Sequence, residues 1–292
     1  MRSLMLKQFN ASEAAGVCGL ALLFFVSGSQ AADLFKWELT SASCDSGNCG
    51  TGVYTPEKTF RDSYGGPKVT VSGWANTGTG DLFERGNVAR WNGLGVKHAG
   101  ESSGSPQHST DNTGTGADAG YDVVLFESLG NKVSLDSIKL GWTESDADIT
   151  VLAYTGSGDP TDSGDADYLG NTAYTTAGLA AHSWQHVGDY ADVDDRSGKT
   201  VDISADTVST YSSYWLVGAF IDLFTPHLSK DSVGRWFGVG NDKFKVYAAA
   251  GTIDKPSGGG NAVPEPSSLL LLTLGLPLIG RRAPSFLSSR SA

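Results

Sequence analysis

The side chains best placed to do chemistry are acidic. Glu144, Asp146 and Asp148 alternate, and on an extended segment that spacing puts three carboxylates on one face. Asp159, Asp162, Asp165 and Asp167 share one polar stretch, and Asp192, Asp194 and Asp195 another. Hard cations such as Ca²⁺ take roughly six to eight oxygens, often from Asp-rich loops. Glu144, Asp146 and Asp148 are therefore the candidate metal ligands, although no D-x-D-x-D-G loop closed by a glutamate is present. A solvated acidic surface is the preferred reading of these clusters, with bound Ca²⁺ as its alternative.

Three further constellations lack the context their chemistry needs. Gly100-Glu101-Ser102-Ser103-Gly104 fits G-x-S-x-G, but a nucleophile elbow joins a strand to a helix, and here Pro106 and a Ser/Thr/Gly stretch follow. His182 and His186 have the spacing of zinc ligands on a helix, yet Ser183 stands where a metalloprotease carries glutamate, and the segment also suits a strand. Paired carboxylates could serve a glycosidase, but nothing in the sequence fixes two of them across a cleft. No catalytic residue is assigned, and the chain is expected not to be an enzyme.

The elements that would position these groups are short strands. Apolar runs alternate with Gly/Asp/Asn/Ser clusters across residues 32–254, without sustained helical periodicity. Candidate strands are 69–72, 122–126, 133–135, 138–142, 149–154, 184–190, 200–203, 214–221 and 244–250. The unbroken apolarity of Val123-Val124-Leu125-Phe126 predicts burial on both faces. Val133-Ser134-Leu135 and Ile138-Lys139-Leu140 alternate in phases that differ by one residue, which predicts a bulge near Asp136-Ser137. Gly100 to Gly120 is nearly free of large apolar residues and reads as a surface excursion. The expected fold is mostly β, a single antiparallel sandwich of jelly-roll-like or immunoglobulin-like order. Trp142, Trp184, Trp215 and Trp236 are expected to supply much of its core.

The chain of 292 residues carries 38 glycines and only 2 methionines, a composition suited to a turn-rich β domain. Its formal charge is -11. Such a surface disfavours nucleic acid and anionic membrane.

Both ends read as addresses. Arg2 and Lys7 precede the apolar run Val17 to Val26, and Ser29-Gln30-Ala31 offers small residues to a signal peptidase, so residues 1–31 are expected to be a signal peptide. Cys18 is lost with it, and Cys44 and Cys49 remain as an even pair expected to form a disulfide in an oxidising compartment. Residues 255–262 form a Gly/Ser/Pro linker. Val263-Pro264-Glu265-Pro266 follows, where two prolines fix φ and remove backbone donors, leaving an extended peptide with one acid. The uncharged stretch from Leu269 to Ile279 is shorter than the about 20 residues of a membrane helix, and Arg281-Arg282 stands directly behind it. Removing residues 1–31 and 263–292 leaves 16 basic and 30 acidic residues.

This tail resembles a PEP-CTERM sorting signal, carried by exosortase substrates of Gram-negative bacteria that make extracellular polysaccharide. Val263, Pro264, Glu265 and Pro266 match its motif and Arg281 and Arg282 its basic cluster; Ala283 to Ala292 extends beyond the usual end. The resemblance implies a precursor held transiently in the inner membrane, recognised and cut by an integral-membrane exosortase. Stretches of the central region are also similar to a group of exosortase-dependent surface proteins. They include Gly93-Leu94-Gly95-Val96, His108 with Asp111-Asn112, Asp122 to Phe126, Gly141-Trp142 with Asp146 and Asp148, Ala153 to Gly156, and Asp242 to Val246. The expectation is an exported surface or matrix protein with a structural or adhesive role in the extracellular polysaccharide layer. A carbohydrate-binding module, with or without stabilising Ca²⁺, or a carbohydrate-active enzyme is the alternative. The expected partners are signal peptidase, exosortase and polysaccharide.

Overall fold

A computed structural model of the chain describes residues 34–101, 108–112, 120–226, 229–238 and 242–254. The expected signal peptide, linker and sorting tail, with Val263, Pro264, Glu265, Pro266, Arg281 and Arg282, lie outside these residues, as does Ser102 of the G-x-S-x-G match. Among the described residues no helix is long and apolar enough to cross a membrane.

The strands are β1 (Leu34–Glu38), β2 (Cys44–Ser46), β3 (Glu57–Phe60), β4 (Val69–Ala75), β5 (Glu84–Arg85), β6 (Asn87–Arg90), β7 (Leu94–Lys97), β8 (Thr110–Asp111), β9 (Asp122–Ser128), β10 (Val133–Ser145), β11 (Ile149–Tyr154), β12 (Trp184–Tyr190), β13 (Thr200–Asp202), β14 (Tyr214–Ala219) and β15 (Asp242–Ile253). They form two antiparallel sheets. One runs β13-β10-β15-β7-β6, with β1 and β8 also on β15; the other runs β12-β11-β14-β9-β4-β3-β2, with β5 on β4. The fold is the mostly β sandwich its alternation predicts.

The core lies between the sheets because each strand sends alternate apolar residues inward. Phe35, Trp37, Leu135, Ile138, Phe244 and Val246 come from one sheet, and Val69, Val71, Val124, Phe126, Val151 and Trp215 from the other. Burying each such side chain contributes about 1.5–3 kcal/mol. The indoles are also satisfied: Trp37 Nε1 donates to the Pro67 carbonyl at 2.7 Å and Trp215 Nε1 to that of Val133 at 3.2 Å. Pairing is unbroken from Leu135 opposite Gly251 to Ser137 opposite Ala250, except that Asp136 is skipped. This is the bulge that the phase slip predicts.

β9 is buried on both faces. Val124 and Phe126 enter the main core, while Val123 and Leu125 join Trp74, Tyr174, Leu179 and Trp184 in a second cluster behind the sheet. That cluster is roofed in part by α1 (Thr176–Ala181), a helix that the strand pattern does not predict. The Thr175 hydroxyl caps it, accepting from the Gly178 amide at 3.0 Å. At six residues it is too short to show a period.

Two expectations need correction. Trp215 and Trp184 are buried as expected, but Trp142 is only half-buried on the outer face of its sheet and Trp236 is 57% exposed; Trp37 and Trp74 join Trp215 and Trp184 as the core tryptophans. The stretch after Gly100 is not simply a surface excursion, because Glu101 and residues 108–111 are buried. That segment crosses β7 at Gly95, where a Cβ would stand 1.9 Å from the His108 carbonyl oxygen. Only glycine permits this approach.

Cys44 and Cys49 are joined, as expected. The buried Lys58 plugs their loop, donating through Nζ to the carbonyls of Asn48 and Val53, both at 2.9 Å, and to the Thr55 hydroxyl at 3.0 Å.

Candidate functional site

One end of the sandwich gathers acids from distant parts of the chain. β10 ends there and β11 begins, β15 begins opposite Ser145, and β8 lies on β15 with Asp111 opposite Lys243. Asp146 and Asp148 sit in the β10–β11 connection, and Asp242 opens β15. One oxygen of each lies within 4.8 Å of the others. Glu144 does not join them: it is exposed, 4.0 Å from Lys243 Nζ. The connection turns after β10, so the spacing that would align three carboxylates on a straight strand aligns only two.

These acids act as a clasp. The Asp148 amide donates to Asp242 Oδ1 at 2.7 Å. The Asp148 carboxylate accepts the Asp192 amide at 2.7 Å and the Gly238 amide at 2.6 Å, tying together three loops. Asn112 Nδ2 donates to Asp242 Oδ2 at 2.5 Å and to the Phe220 carbonyl at 2.8 Å. Burial pushes the Asp148 carboxyl up to about 7 against these amides. Burial, and then the Asp148 charge, push Asp242 well above the usual carboxylate range. Each carboxylate has backbone donors, so the arrangement is complete as a structural lock.

The two histidines fall on different elements. His182 caps the end of α1, with Nδ1 3.1 Å from the Ala166 carbonyl. His186 is on β12, stacked 4.1 Å from Phe224, its Nε2 3.2 Å from Asp189 Oδ1. They form no shared ligand set. Asp159, Asp165 and Asp167 organise their own loop, Asp165 accepting the Asp159 amide at 3.0 Å and the Asp167 amide at 2.9 Å.

The outer face of the other flank carries different chemistry. On β15, inward Phe244 and Val246 leave Lys245 and Tyr247 facing out. Lys245 Nζ lies 4.8 Å from the Trp142 ring centre and 5.3 Å from that of Trp91. Trp91 in turn packs 3.9 Å from His108 and 5.6 Å from Tyr54. Lys97 stands 6.0 Å over Tyr54, and the exposed Lys139 stands 5.3 Å over Tyr247. Lys36 and Lys139 border a shallow depression floored by Ala248–Ala250, where Glu38 pairs with Lys36 at 2.6 Å. Gly141 allows the β6–β7 turn to lie against β10, since a Cβ there would stand 1.9 Å from the Asn92 carbonyl oxygen. Trp91 and Trp142 thereby become neighbours around one ammonium. Burial pushes Lys245 down to about 8.

Sequence reasoning missed this face because lysines and aromatics separated by tens of residues meet only through strand order. The signal within reach was the alternation Phe244-Lys245-Val246-Tyr247, which places a cation and an aromatic together opposite the core. No protein-family model, curated protein or solved structure matches the chain.

Proposed function

We propose that this chain is an exosortase-processed protein of a Gram-negative cell surface or matrix, with a structural or adhesive rather than catalytic role. The outer face of the β1-bearing sheet is its contact with anionic extracellular polysaccharide. One observation carries the contact: a chain of formal charge -11 gathers Lys36, Lys97, Lys139 and Lys245 with Trp91, Trp142 and Tyr247 on one sheet face. Aromatic faces stack on apolar sugar faces, and exposed ammonium groups meet uronate carboxylates. Lys245 itself is buried and holds the two indoles in place.

The sorting tail and expected signal peptide supply the compartment, and the Cys44–Cys49 bond fits an oxidising one. The test is electrophoresis of the native protein through gels containing alginate or neutral dextran. Retardation by alginate, relieved near 1 M salt where the screening length falls to about 3 Å, is expected. Equal mobility in alginate and in plain gel would remove the contact from the account.

A further inference from the structure

A second acidic group stands apart from the clasp. Glu101 follows β7, Asp111 lies in β8 and Asp122 opens β9. All three are buried, Asp122 to 1% exposure, and one oxygen of each lies within 4.8 Å of the others. Oxygens bound to one Ca²⁺ at about 2.3–2.6 Å are at most about 5 Å apart, so the set has the span of a single ion's shell.

The groups differ in how they are satisfied. Glu101 Oε2 accepts the His98 amide at 2.9 Å, and Asp111 Oδ2 accepts the Ser109 hydroxyl at 2.8 Å. Both oxygens of Asp122 are fully buried, and neither accepts a hydrogen bond of normal geometry. The Asp111 amide is directed toward this carboxyl and lowers its proton affinity slightly, but burial and the charges of Asp111 and Glu101 raise it well above the usual range. An unsatisfied buried carboxylate is costly, whereas the same group facing two other carboxylates is what a divalent cation needs.

We propose that Glu101, Asp111 and Asp122 are the carboxylate ligands of one calcium ion that fastens the crossing over Gly95 to the head of β9. The gathered donors are oxygens, which select a hard cation over zinc or copper. Three carboxylates can offer up to six oxygens, and Ca²⁺ accepts the irregular geometry that Mg²⁺ rejects. The site stands on these residues alone and does not depend on where the protein resides.

The experiment uses the full chain, stripped with EDTA and exchanged into chelator-free buffer. Calorimetric titration with CaCl₂ alone should give one ion per chain, with a dissociation constant of about 10⁻⁴ M or tighter. Unfolding in about 5 mM CaCl₂ should occur about 5 °C above unfolding in EDTA, with a smaller rise in MgCl₂. Asp122→Asn should lose the calcium response, and Glu144→Gln, at the exposed acid outside the group, should keep it. Should Asp122→Asn fail to fold, Glu101→Gln and Asp111→Asn carry the same reading. Identical unfolding in EDTA and calcium would overturn the proposal and leave Asp122 a protonated acid. A full-sized response in any of the three ligand variants, or an equal response to magnesium, would also overturn it.

Discussion

The ammonium of Lys245 lies 4.8 Å from the centre of the Trp142 ring, with Trp91 on its other side at 5.3 Å. A buried cation shared by two indoles fixes their planes at the surface of an otherwise acidic protein. Trp142 is half-buried, so Trp142→Ala should cost less stability than truncating a core tryptophan, which costs about 3–5 kcal/mol. It should weaken alginate binding about tenfold or more, the scale of one lost stacking contact. Affinity electrophoresis beside a denaturant titration separates the two effects. Unchanged retardation would show that the indoles only pack.

The clasp predicts an unusual acid response. Asp148 is raised to about 7 by burial, and Asp242 is raised well above its usual range. Between the ordinary carboxylate range and about 7, the folded state holds protons that the unfolded chain releases. The stability this confers is fully present below that window and is lost as pH rises through about 7. Asp45 and Asp165 are lowered instead and act in the opposite sense, but both are solvated and contribute little. In EDTA the unfolding temperature should therefore be higher at about pH 5 than at about pH 8. Thermal scans across this range check the sign.

Asp148→Asn removes the charge but turns an amide NH₂ toward one of the amides of Asp192 and Gly238. The loss should be about 1–3 kcal/mol, with a shallower pH dependence than wild type. Chemical denaturation at several pH values measures both. A more stable variant would show that the charge, and not the hydrogen bonding, dominates there.

The Cys44–Cys49 bond closes a loop with a sequence separation of 5. Chain entropy assigns so short a loop about 2 kcal/mol. The Cys44→Ser/Cys49→Ser protein should lose about that much and should no longer respond to dithiothreitol. Lys58→Met in the oxidised protein removes the plug from the same loop and leaves carbonyls without their donor, at a cost of about 1–3 kcal/mol. Urea titrations of the variants compare the two losses.

Gly95→Ala tests the crossing directly. Its Cβ would meet the His108 carbonyl oxygen at 1.9 Å, a backbone atom that cannot swing aside. A loss above about 3 kcal/mol is expected, with hydrogen exchange accelerating first at residues 108–112. Slow exchange there at wild-type rates would contradict the close approach.

Much of the architecture was legible because strand signals are local. The bulge at Asp136 appears as a one-residue slip between Leu135 and Ile138, and the double burial of β9 appears as its unbroken apolar run. What could not be read depends on distance along the chain. Trp142 has the same local signal as Trp215, and only sheet pairing decides which faces the core, while Trp236 lies outside every strand. The stretch after Gly100 is polar and so reads as surface, yet Ser109, Thr110 and Asp111 are buried, because the chain crosses β7 at Gly95 and Thr110 and Asp111 then pair with β15. Glu144, Asp146 and Asp148 stand out as neighbours in sequence, while Asp242 and Asn112, which complete the clasp, lie far away in it. Asp122 carries one local signal, a charge at the head of the buried apolar run Val123 to Phe126.

The proposed compartment underlies the whole reading, and the intact mass of the protein recovered from the surface or medium of the cells that make it tests it most directly. The account predicts a chain starting at Ala32, ending near Val263-Pro264-Glu265-Pro266, and lighter by two hydrogens for one disulfide. A chain found inside the cell that retains Met1 to Ala31 and Leu269 to Arg282, with Cys44 and Cys49 as free thiols, would contradict it.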